Sequence, residues 1–201
     1  MIQKTGVAIA VLIVAVSLTQ LTVVKAQERE SFRAFAVVMG VHATGQTNTF
    51  QITIDRWSTD EDREKLFATL VENDQDALIE ALQDQDECGF LRMTGTQGPI
   101  ARRSSFPSQR IKYARDIRFE DGKRRIILAF DRPIPYWEAL NRPRTYDYPL
   151  SILVLNLDED NKGEGVMAIG VRLKFDNENN SLEIENFSSQ PVRLTNVRKT
   201  S

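Results

Sequence analysis

Cysteine and histidine are almost missing: the 201-residue chain has one of each, Cys88 and His42. One Cys closes no internal disulfide, and a single Cys with a single His cannot supply a closed zinc site of the Cys/His kind. An excess of one charge is lacking too. With 26 Lys plus Arg against 28 Asp plus Glu, the balance gives no global drive toward nucleic acid. Past the first 26 residues there is no long apolar run, so nothing reads as a further membrane-spanning helix. There is no Gly-x-Ser-x-Gly elbow, and Gly95-Thr96-Gln97-Gly98 lacks the Lys-Ser/Thr that completes a phosphate loop. The hydrophobic share of 41% is in turn too high for a disordered chain.

What is present begins with a targeting signature. Lys4 makes a positive start, Gly6 to Val16 is an apolar core of 11 residues, and Val24-Lys25-Ala26 puts small residues at −3 and −1. This predicts a signal peptide over 1–26, cleaved after Ala26, and a secreted or periplasmic product. The rival is a retained anchor, since apolar character runs on through Leu21, Val23 and Val24; Ser17, Thr19, Gln20 and Thr22 oppose it. Cleavage leaves 24 basic and 28 acidic residues over 27–201, a formal charge of −4. A chain of that size buries enough surface to fold as a single domain without disulfides. Cys88, beside Gly89-Phe90-Leu91, is expected to be a buried thiol.

Along the mature chain, Phe32 to Val41 and Thr49 to Trp57 read as a strand pair joined by the turn-rich 42–48. Ser58 with Glu61 three residues later predicts a capping box and a helix start. Leu66, Phe67, Leu70 and Val71 form one apolar stripe, and Ala77, Leu78, Ala81 and Leu82 repeat it on a second short helix. From Phe90 onward the pattern is strands: Phe90–Met93, Arg110–Phe119, Lys123–Phe130, Tyr148–Leu157, Val166–Phe175, Leu182–Phe187 and Val192–Val197. The fold class is α+β, a long twisted antiparallel sheet or open barrel of about eight or nine strands, with a helix pair inserted after the second strand. Because the 148–175 region is apolar on both faces, its strands must be covered on both sides.

Chemistry-bearing residues are sparse. Asp158, Asp160 and Gly163 imitate the start of a calcium loop, but Lys162 stands where an oxygen ligand belongs, Ile169 replaces the bidentate Glu, and the flanks are strands. An acidic hairpin turn is the better reading, and no metal or other cofactor is expected. His42 is the one His available to a nucleophilic triad, and its place after a strand in a Thr/Gly turn is an ordinary one. Asp55, Asp131, Glu138 and Asp147 are the acids nearest aromatic or strand-end positions. Arg56, Arg132 and Arg144 offer most of them an ion pair instead of a catalytic partner.

Charge segregation is the sharpest non-random feature. Ser58 to Glu87 holds 11 acids and 2 bases, whereas Ala101 to Arg144 holds 12 bases and 5 acids. The expectation is an acidic helical lobe lying against a basic sheet rim, with a basic surface for lipid, glycan or phosphate as the alternative. On strand 111–119, Ile111, Tyr113, Ile117 and Phe119 share a face with Arg115. That predicts an inward Arg115, paired with a carboxylate such as Asp131 or facing a ligand anion. Arg132 to Pro149, rich in proline and aromatics, is expected to plug one end of the sheet or to cover a pocket. Any pocket is expected to be lined by Tyr113, Arg115, Trp137 and Tyr146.

Several stretches taken together resemble an uncharacterised family of small exported bacterial proteins: Ile54-Asp55-Arg56-Trp57-Ser58-Thr59-Asp60, Tyr113-Ala114-Arg115, Gly122-Lys123-Arg124-Arg125-Ile126, Asp131-Arg132-Pro133-Ile134, Gly163-Glu164-Gly165, Ile184-Glu185-Asn186-Phe187 and Gln190-Pro191-Val192-Arg193-Leu194. The likeness covers most of the mature chain. It implies export and one domain, and it brings no activity, ligand or catalytic residue. The function expected is an exported, non-enzymatic binding domain for an apolar or anionic envelope component (lipid, glycan or envelope protein) or a partner protein. A hydrolase working through paired acidic residues is the alternative.

Overall fold

The computed structural model describes residues 28–37, 47–94, 108–134, 149–176, 181–185 and 191–201. His42, Glu138, Asp147, Trp137 and Tyr146 lie outside the described residues, as do the amino-terminal segment and most of the proline-rich connection.

The first two strands, β1 (Glu30–Val37) and β2 (Thr47–Ile54), form the expected antiparallel hairpin. Two helices follow, α1 (Asp60–Glu72) and α2 (Gln75–Gln83). The chain then returns to the sheet with β3 (Gly89–Thr94), β4 (Gln109–Ile111), β5 (Tyr113–Arg118), β6 (Arg124–Phe130), β7 (Ser151–Leu157) and β8 (Lys162–Ile169). A two-stranded ribbon, β9 (Arg172–Asp176) with β10 (Ser181–Glu185), precedes the last strand, β11 (Val192–Lys199).

The nine-stranded sheet has the order β4-β3-β2-β1-β11-β8-β7-β6-β5, with every pairing antiparallel. Its two edges, β4 and β5, are consecutive in sequence and separated by Lys112 alone. They are halves of one bent strand: the first half pairs with β3, the second with β6. Backbone bonds hold both sides of the bend, from Cys88 N to Ile111 O at 2.7 Å and from Lys112 N to Ala129 O at 3.0 Å. With β4 and β5 counted as one, the sheet is a nearly closed barrel of eight staves, a number at which side chains fill the interior.

The interior is filled in that way. Phe32, Phe50, Ile52, Leu91, Ile126, Leu128 and Phe130 are fully buried in one cluster with Leu153, Leu155 and Met167. Packing is tight enough that a Cβ on Gly165 would come within 2.7 Å of the Leu155 side chain. A second apolar cluster lies on the outside of the barrel, beneath the helices. Strands β6 and β7 belong to both clusters, which is why Ile126–Phe130 and Ile152–Leu155 are apolar at consecutive positions.

Local details shift two expected boundaries. The cap of α1 is Thr59 with Asp62, one residue later than expected: Thr59 Oγ1 accepts from Asp62 N at 3.1 Å and Asp62 Oδ2 accepts from Thr59 N at 2.8 Å. Ser58 instead ties the helix entrance to β5, its Oγ accepting from Ala114 N at 3.1 Å. The run expected as one strand over 166–175 is broken at Gly170, whose φ of 64° turns the chain out of the barrel into β9. Of the α1 stripe, Leu66 and Leu70 are buried, while Phe67 and Val71 are 39% and 42% exposed. The Asp158–Asn161 segment is a turn, with Asp158 Oδ1 accepting from Lys162 N at 2.8 Å and Lys162 Nζ pairing with Asp160 at 3.2 Å. Both carboxylates are thereby engaged within the hairpin.

One buried charge cluster seals a barrel end. Arg124, with 6% of its side chain exposed, donates two bonds of 3.0 Å to the two oxygens of Asp116, one of 2.5 Å to Asn161 Oδ1 and one of 3.0 Å to Glu30. Lys199 reaches the other Glu30 oxygen at 3.5 Å. Removing Arg124 strands carboxylates away from water, so Arg124→Ala should cost about 3–5 kcal/mol of stability. Its neighbour Arg125 points outward, and Arg125→Ala should cost less than about 1 kcal/mol. Urea unfolding of the two variants measures the difference; equal losses would refute the buried cluster.

Candidate functional site

The bend at Lys112 reverses which face side chains take. Ile111 and Ala114 both point into the barrel, so the alternation slips by one residue between them. Tyr113, Arg115 and Ile117 share a face as the sequence suggests, but it is the outer face, under the helices, and Ile111 is not on it. Among the described residues, the buried inward arginine of the barrel is Arg124.

Register places the outer residues in cross-strand rows. One row runs Tyr113, Ala129, Ile152, Ala168, and the next Arg115, Ile127, Val154, Val166. The third row, Ile117, Arg125, Asn156, Glu164, is polar beyond its first member and ends the apolar patch. The helix pair lies over the apolar rows and is clipped down at separate points. At the start of α1, Arg115 pairs with Asp60 at 2.6 Å. At the start of α2, the Gln75 side chain donates to Val171 O and accepts from Leu173 N, each at 2.9 Å. At the end of α2, Lys112 Nζ donates to Gln83 O at 2.7 Å and Gln85 O at 2.8 Å, where helix carbonyls favour a cation. Arg110 adds an ion pair with Glu87. The acidic lobe therefore does lie against basic strand residues, as the charge segregation predicts.

Between these clips the helices stand off the barrel and leave a cavity of about 640 Å³. Leu66, Phe67 and Leu70 of α1 and Leu78 and Leu82 of α2 form its roof. Ile127, Ala129, Ile152 and Val154 form its floor, and Leu173 and Phe175 of the ribbon form one wall. Phe67 meets Phe175 edge-on with ring centroids 5.1 Å apart. The polar lining consists of Tyr113, Arg115 and Arg63; among the described residues no carboxylate lines the cavity.

Electrostatics at this lining are set by the two guanidiniums. The Arg115 hydrogen bond and charge hold the Asp60 carboxyl below the usual carboxylate range, so the pair is ionised at neutral pH. Burial pushes the Tyr113 phenol up against the opposing pull of Arg115 and Arg63, so it stays a neutral donor. Arg63 has a looser partner, Glu64 at 3.9 Å, with both side chains largely exposed.

Of the residues expected to line a pocket, Tyr113 and Arg115 are brought together here, while Trp137 and Tyr146 lie outside the described residues. Arg63 and the aliphatic roof and floor went unnamed by sequence reasoning, although the doubly apolar strands carried their signal. Asp55 pairs with Arg29 at 2.5 Å instead of with Arg56. Among the described residues, no group of three or more His, Cys, Asp or Glu side chains is placed to hold a metal ion, and no helix is long and apolar enough to cross a membrane.

Asp131, expected as a partner for Arg115, is bound to its neighbour Arg132 at 2.8 and 3.1 Å. Burial pushes the Asp131 carboxyl up, but the Arg132 guanidinium outweighs it and leaves the pKa lowered. A lowered folded-state pKa stabilises at neutral pH and is lost as pH falls below the unfolded value of about 3.9. The stability gap between the protein and Asp131→Asn, read from urea midpoints, should therefore shrink from pH 7 to pH 2; a constant gap would deny the pairing its role.

A scan of protein-family models and searches of curated proteins and of solved structures find no match to this chain.

Proposed function

We propose that this is an exported, non-enzymatic binding domain that holds an apolar small molecule between its helix pair and the outer wall of its barrel. One observation carries the reading: a cavity of about 640 Å³ lined almost wholly by Leu, Ile, Val, Ala and Phe side chains. Its size falls within the roughly 300–1,000 Å³ typical of small-ligand sites, and few convergent polar groups on an apolar lining is the usual make-up of such sites. The barrel interior is filled by its own side chains, so the space for a guest lies outside it. Hydrolysis by paired acids needs two carboxylates facing one cleft, and the described lining holds none.

Ala129 sits on the cavity floor, and a phenyl ring there occupies the space without removing any wall. The uncharged fluorophore N-phenyl-1-naphthylamine should bind the protein and brighten, and Ala129→Phe should weaken that binding at least tenfold with little change in unfolding midpoint. Equal binding by the variant would place the probe elsewhere and remove the cavity from the argument.

Export rests on the Lys4, Gly6–Val16 and Val24-Lys25-Ala26 pattern. The mature protein recovered from a bacterial host should begin at Gln27 by intact mass, in the periplasm or medium; full-length cytosolic product would contradict this.

A further inference from the structure

We infer that the cavity selects an amphiphile with one apolar chain and an anionic head, the head held by Arg63 and Arg115 beside Tyr113. This inference rests on the cavity reading above and names its ligand class. Both guanidiniums line the cavity, and both lie at the end marked by the first turn of α1, where Asp60 and Arg63 are three residues apart on one helix face. Farther along the cavity the lining is aliphatic and aromatic. A ligand that buries its chain there must leave its head among two cations and a phenol donor. Cationic heads are repelled, and a neutral hydroxyl can accept from a guanidinium but brings no opposite charge to pair with it.

The cations are available for this task to different degrees. Arg63 is held loosely at 3.9 Å by an exposed Glu64. Arg115 is bound at 2.6 Å, but by a carboxylate that is 76% exposed and can turn into water, whereas Arg115 itself is only 27% exposed. An incoming anion therefore competes with Asp60 for a guanidinium that already faces the cavity. Asp62 does not compete, since its carboxylate is committed to the Thr59 cap and lies 3.8 Å from Arg56. The volume suits a single chain with a compact head and not a diacyl lipid.

The test displaces N-phenyl-1-naphthylamine with four ligands sharing a twelve-carbon chain: laurate, dodecyl phosphate, dodecanol and dodecyltrimethylammonium. Laurate or dodecyl phosphate should displace it at least tenfold more tightly than dodecanol, with the ammonium compound weakest. Preference between the two anions assigns the head to a carboxylate or a phosphate, and either supports the inference. Arg63→Gln should reduce the anion advantage several-fold, whereas Asp60→Asn, which frees Arg115, should increase it. Opposite shifts from two substitutions on one helical turn are not what partial misfolding produces. If dodecanol matches the anions, or if Asp60→Asn leaves the advantage unchanged, the head-group inference fails while the cavity stands. If none of the four displaces a probe that Ala129→Phe weakens, the ligand class fails and the cavity stands; if Ala129→Phe leaves the probe bound as before, the cavity reading fails as well.

Discussion

Closure of the sheet at Lys112 is the constraint on which the rest of the molecule depends. A barrel has no free edge only if its first and last strands meet, and here one strand serves both by pairing first with β3 and then with β6. The bend that permits this slips the side-chain alternation, which sends Tyr113 and Arg115 outward. The Lys112 side chain reaches out from the same residue to the carbonyls ending α2. Barrel closure, helix docking and the polar lining of the cavity thus share a few consecutive residues.

The same arrangement explains why a space exists outside a barrel whose interior is full. Two apolar surfaces, the outer rows of β5 to β7 and the buried stripes of α1 and α2, would normally pack into direct contact. Here the helices are fixed at their ends by polar clips that set their height over the sheet. Between the clips, the leucines of α1 and α2 face Ile127, Ala129, Ile152 and Val154 across a gap. The ribbon β9–β10 closes one side because Gly170 turns the chain there.

Much of the fold was legible because burial leaves a mark on sequence. Alternation along β2 and the doubly apolar run of β7 follow directly from which faces are covered, and the helical stripes of α1 and α2 mark the lobe. Charge segregation foretold the contact of helices with basic strand residues, and Arg115–Asp60 is its clearest instance. What could not be read was the slip at Lys112. A bend of one residue leaves no compositional trace, so the face of Tyr113 and Arg115 was inverted and Arg115 was given the wrong partner. Arg124 was overlooked as the inward arginine because it opens a strand after a turn, where arginines are usually solvated. Its burial comes from Glu30 and Asp116, distant in sequence from one another. The cavity itself belongs to the spacing between layers, which no single segment encodes.

The chain's lone thiol sits against this seam. Cys88 is fully buried, its Sγ lies 3.4 Å from Ser58 Oγ, and its backbone N–H bonds across to Ile111. Burial pushes the thiol up, which suppresses the thiolate that alkylating and oxidising reagents attack. Reagents can reach that sulfur only when its surroundings at Ser58, Asp86 and Lys112 open, so labelling at this atom keeps time for breathing of the seam where the helix entrance meets the bend. The protein thereby carries its own stopwatch for the motion that would unmake it.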